Sequence, residues 1–100
     1  MMIAAEDLEQ LRKEIERIDR AVVGLVRERV RVARLVLRAK QAAGLPVVDP
    51  AQEATVIERA ATMARAAGLP PEVIGAVFTQ VVEITRRAEL EQVTERAMRG

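Results

Sequence analysis

Arg29, Lys40 and the pair Asp49/Glu53 stand at spacings that suit capture of a small doubly negative ligand bearing a hydroxyl. Arg29 interrupts a run of apolar positions, Leu8, Leu11, Ile15, Ile18, Val22, Leu25, Val32, Val36 and Ala39, whose alternating three-and-four spacing marks the seam of a packed helix. An unpaired charge in such a seam is costly, so Arg29 snorkels, pairs with a buried acid, or serves a ligand. Lys40 follows eleven residues later, close to three helical turns, on the same side and about 16 Å further along the axis. Long cationic side chains leaning toward each other from these positions bracket a ligand of roughly ten to fifteen heavy atoms.

Arg12 lies about 25 Å from Arg29 along one helix, too far to share that ligand. In an antiparallel dimer the partner subunit's Arg12 slides alongside Arg29 and Lys40, which makes a composite site of three cations. Asp49 by itself reads as a helix N-cap and Glu53 as a first-turn carboxylate. If the connector folds back over the cations, both can accept hydrogen bonds from a ligand hydroxyl. Thr85 and Glu89, one turn apart on an otherwise apolar face, close the remaining side. The alternative for Glu89 is an interfacial charge near a helix end.

The elements that must position these groups are helices. There is one aromatic residue, no sustained strand alternation, and a preponderance of strong helix formers. Two clusters, GLPVVDP and GLPP, divide a single all-α domain spanning 1–100 into three helices. The first runs from about Asp7 to Ala42, and Gly44 provides a left-handed cap with Pro46 behind it. Val47 and Val48 are extended. The second, capped by Asp49 with Pro50 in its first turn, runs to about Ala67 with Val56, Ile57, Ala60, Met63 and Ala64 inward, and Gly68 ends it. The third runs from Pro71-Glu72 to about Met98, with Ile74, Val77, Phe78, Val81, Thr85 and Ala88/Glu89 facing in. Mid-helix Gly24 suggests a close helix approach. A first helix of roughly 50 Å cannot bury its seam against a domain this small, so an intertwined two-fold homodimer is expected.

No Cys, His, Ser, Asn, Trp or Tyr occurs, which removes thiol, serine and imidazole catalysis and any ordinary zinc site. The net charge of +1 gives no global attraction for nucleic acid or a membrane surface. The N-terminus lacks the basic and then apolar segments of a leader, and no apolar run is of membrane-spanning length. A soluble, cytoplasmic protein is expected.

The pattern Leu11-Arg12-xx-Ile15-xx-Ile18-Asp19, then Glu28-Arg29, Lys40, Gly44 to Asp49 with Glu53, Gly68-Leu69 and Phe78…Thr85…Glu89 resembles the all-helical chorismate mutases. The resemblance implies a homodimer that rearranges chorismate to prephenate without cofactor or metal. It implies that Arg12 of the other subunit and Arg29 hold the substrate carboxylates. Lys40 contacts the ether oxygen and the enolpyruvyl carboxylate, and Asp49 and Glu53 hold the ring hydroxyl. Thr85 stands where the family usually has Ser. Two departures stand out: Gln52 replaces a common arginine, and Glu89 replaces the usual Gln donor to the ether oxygen, as in fungal members. Glu89 can donate only as a neutral acid, which requires a raised pKa.

A pericyclic rearrangement needs only a folded substrate conformation and stabilised charge on the breaking ether oxygen, which suits this inventory. Three alternatives remain open. The pocket left by Gln52 and Glu89 suits a 4-amino-4-deoxychorismate mutase, and an isochorismate-pyruvate lyase shares the scaffold. From another class, the chain is a non-catalytic helical dimer or a nucleic-acid binder using Arg27, Arg31, Arg34 and Arg38, although these spread around the helix without an aromatic platform.

Overall fold

The computed structural model describes residues 4–100, which form three helices and no strand: α1 (Ala5–Ala42), α2 (Pro50–Ala66) and α3 (Pro71–Arg99). Residues 1–3, the start of the segment read as lacking a leader, lie outside the described residues. Among the described residues no helix is long and apolar enough to cross a membrane.

The ends of these helices follow from local chemistry. The Asp7 carboxylate accepts from the Ala4 amide at 3.3 Å, so α1 begins two residues before the expected Asp7. The sequence Gly-Leu-Pro recurs at 44–46 and 68–70, and both copies do the same thing. Gly44 (φ 70°) and Gly68 (φ 72°) take the left-handed conformation. The next amides, Leu45 and Leu69, then turn back to the Lys40 and Ala64 carbonyls at 2.8 and 2.9 Å, satisfying orphan acceptors at the ends of α1 and α2. Asp49 caps α2 by accepting from the Gln52 amide at 3.1 Å, with Pro50 where a missing N–H costs nothing.

Helix α3 is the element on which both others pack. Small residues set that packing: Ala60, Ala64, Gly75 and Ala88 are buried together with Leu37, Val82 and Thr85. The stripe is narrower than the sequence suggests. Met63 and Val77, expected inward, are 54% and 49% exposed, because they flank rather than occupy the line where α2 meets α3. A Cβ on Gly24 meets nothing within 4 Å in this chain, so no close helix approach occurs there within one subunit.

Helix α1, at 38 residues or about 57 Å, outruns the rest of the molecule. The chain measures 62 × 30 × 16 Å with a radius of gyration of 18.2 Å, against about 13 Å for a compact chain of this length. Its apolar seam is bare toward the N-terminus: Leu8, Leu11, Ile15, Ile18, Val22 and Leu25 are between 45% and 70% exposed. The C-terminal half of α1, where Leu37 is fully buried, is the part that docks on α3.

Candidate active site

Where the C-terminal half of α1, the 43–49 connector, the first turn of α2 and the middle of α3 converge, they enclose a cavity of about 310 Å³. Arg29, Lys40, Asp49, Gln52, Glu53, Thr85 and Glu89 all line it. Its remaining wall is aliphatic, chiefly Val32, Val36, Val47, Val48, Val56, Val82 and Leu90. A polar ring on an apolar wall suits a small ligand with a hydrocarbon body and charged ends.

Both cations are held by a local contact. Arg29 Nη1 donates to Thr85 Oγ1 at 2.9 Å, and the Thr85 hydroxyl in turn donates to the Val82 carbonyl at 2.9 Å. Thr85 is only 4% exposed, so its hydroxyl is a fixed anchor for the guanidinium. Lys40 Nζ donates to the Val47 carbonyl at 3.3 Å, which folds the connector back over the cations and carries Asp49 and Glu53 to the rim. Among the described residues neither Arg29 nor Lys40 forms an ion pair. Their charge therefore remains available to a ligand.

Glu89 is half-buried across from them, and its carboxyl is held above the ordinary range. Burial is the main cause, opposed by Lys40, reinforced by Glu53, and opposed again by Arg29 and Arg86.

One lining residue escaped the reading of the sequence. Arg86 reaches from α3 to α2 and donates through Nη2 to both carboxylate oxygens of Glu53, at 2.5 and 2.7 Å. Its Nη1 lies 3.8 Å from Glu83 one turn earlier. The sequence held a weak signal, an arginine adjacent to Thr85, but the register of α2 against α3 decides that it meets Glu53. Arg12, in contrast, does not line the cavity of its own chain; it sits on the overhanging half of α1.

Three helices, α1 running parallel to α3 and α2 antiparallel to it, surround a cation-rimmed cavity in an all-helical chain. The chain belongs to the type II chorismate mutase family, whose model matches residues 11–90. It is 36% identical over 75 residues to a bifunctional chorismate mutase/prephenate dehydratase of Aquifex aeolicus (strain VF5), covering 75% of this chain and 19% of that protein. It is 30% identical over 83 residues to the T-protein of Enterobacter agglomerans, covering 83% of this chain and 22% of that protein. The chain thus spans about a fifth of the length of these curated relatives.

Proposed function

We propose that the protein is a chorismate mutase that rearranges chorismate to prephenate at a site completed by a second copy of the chain. The observation that carries this reading is the pair of free cations, Arg29 fixed by Thr85 and Lys40 fixed by Val47, facing Glu89 across an aliphatic cavity.

The reaction breaks a carbon–oxygen bond as a carbon–carbon bond forms in one concerted step, so it requires no nucleophile. The enzyme has two tasks: to hold the enolpyruvyl arm over the ring, and to stabilise negative charge growing on the ether oxygen. Arg29 binds a substrate carboxylate, and the aliphatic wall confines the ring. Lys40, and Glu89 in the fraction that carries its proton, donate to the ether oxygen, and charge there develops only in the transition state, so these contacts raise kcat. Asp49 and Glu53 accept from the ring hydroxyl, with the Gln52 amide beside them. Arg12 enters from the partner subunit to hold the second carboxylate.

Dimerisation rests on the bare seam of α1, an apolar surface of the kind a second copy covers. The 4-amino substrate is less well served, because Arg86 neutralises Glu53 and leaves less negative charge for an ammonium group.

Turnover of chorismate, isochorismate and 4-amino-4-deoxychorismate by the purified protein tests the assignment. Prephenate formation from chorismate at the highest kcat/KM is expected. Preference for either of the other two, or no turnover of any, overturns it.

A further inference from the structure

Three positive and three negative side chains line the cavity: Arg29, Lys40 and Arg86 against Asp49, Glu53 and Glu89. Without Arg86 the fully ionised groups of this chain alone would be net negative, and the site would rely on the partner's Arg12 and on a protonated Glu89 to offset them. The Arg86 guanidinium makes its close contact with Glu53, meeting both carboxylate oxygens through one nitrogen, with Glu83 a more distant second partner at 3.8 Å. Glu53 is the more enclosed of the two, its side chain 21% exposed against 42% for Arg86. The buried Arg86 Nε has no hydrogen-bond partner among the described residues, so the side chain accepts an unsatisfied donor to keep this position. Gln52, on the neighbouring rim of α2, carries no charge that could do the same work.

We propose that Arg86 is a positioning residue that neutralises Glu53 and fixes its orientation, so that a dianionic substrate meets the free charges of Arg29 and Lys40 without repulsion from Glu53. The inference rests on the chorismate mutase reading and deepens it by assigning the selectivity of the site for a doubly negative ligand to a residue that acts through another. A carboxylate has more acceptor positions than Arg86 occupies, so Glu53 can still accept from a ligand hydroxyl while paired. The pair is partly exposed, so its influence weakens as salt screens it.

Arg86→Met removes the charge and keeps most of the side-chain volume. KM for chorismate is expected to rise roughly tenfold at low ionic strength, with kcat changed far less, because uniform binding is lost rather than transition-state contact. Glu53→Gln alone is expected to raise KM by weakening the hydroxyl contact, and adding it to Arg86→Met is expected to raise KM little beyond Glu53→Gln alone, since no unpaired carboxylate then remains. Arg86→Lys is expected to stay near the wild type. An unchanged KM in R86M, or a double variant whose KM rise equals the product of the two single rises, overturns the proposal and leaves Arg86 as a tie between α2 and α3. Should R86M fail to fold, Arg86→Gln carries the same comparisons.

A carboxyl ¹³C titration separates this test from the assignment of the reaction. Glu89 faces Arg29 and Lys40 on α1, Glu53 on α2 and Arg86 on its own helix. Loss of Arg86 is expected to move the Glu89 midpoint further upward. A shifted midpoint in a protein that does not turn over chorismate sinks the reaction and supports the role of Arg86, whereas an unmoved midpoint overturns that role whatever the turnover.

Discussion

In the proposed reaction Glu89 donates a hydrogen bond to an oxygen that is gaining negative charge, and an ionised carboxylate cannot do so. Burial holds its proton above the ordinary carboxylate range even though Lys40, Arg29 and Arg86 all work against it. The sign of the consequence is fixed: a raised pKa keeps the donor form present at higher pH, and the donor is lost as pH rises through that value. We expect kcat to fall on the alkaline side through the Glu89 midpoint and Glu89→Gln to give a flatter profile, as read by initial rates across pH. A profile indifferent to that substitution removes Glu89 from the role. At this scale the sequence was informative about Arg29 and Glu89 because charge on an apolar face is anomalous, and about Lys40 because it follows Arg29 by close to three helical turns. It was silent about Arg86, which on α3 looks like one of several surface arginines spaced to meet acids of its own helix; only the fold places Glu53 within its reach.

At the scale of elements, the cavity depends on how α1 stops. Gly44 at φ 70° turns the chain so that the connector returns over Lys40, and the Leu45 amide seals the end at the Lys40 carbonyl. An added Cβ at Gly44 meets no atom within 4 Å, so Gly44→Ala acts through backbone strain alone. We expect it to destabilise the fold by about 1 kcal/mol in urea denaturation and to raise KM by displacing Asp49. An alanine variant of full stability would show that the connector is held by other means. Both helix stops were legible because Gly-Leu-Pro is a chemical instruction: a residue tolerant of positive φ followed by one that cannot continue a helix. Inward faces were less legible. Met63 and Val77 satisfy the helical period yet lie outside the narrow line set by Ala60, Ala64 and Gly75, since small residues let α2 and α3 come close along one line only. Periodicity reports which residues share a face, not how wide the contact on that face is.

At the scale of the molecule, the first helix is longer than the rest of its own chain can cover. Its radius of gyration of 18.2 Å exceeds the roughly 13 Å of a compact chain of this length, and the overhanging half of α1 leaves Leu11, Ile15 and Val22 open to water. The excess length was legible in the sequence as a seam longer than the domain could cover; the identity of what covers it was an inference from symmetry. The same overhang carries Arg12, which the cavity of its own chain never meets. Two chains laid antiparallel along α1 would cover both seams and complete two sites, each drawing Arg29 and Lys40 from one subunit and Arg12 from the other. Complementation tests this directly. Arg12→Ala and Arg29→Ala are each expected to be nearly inactive alone, whereas an equimolar mixture refolded together from denaturant restores one intact site in every mixed dimer, about a quarter of wild-type chorismate turnover for statistical pairing. A mixture no more active than the sum of the separate variants would contradict a shared site.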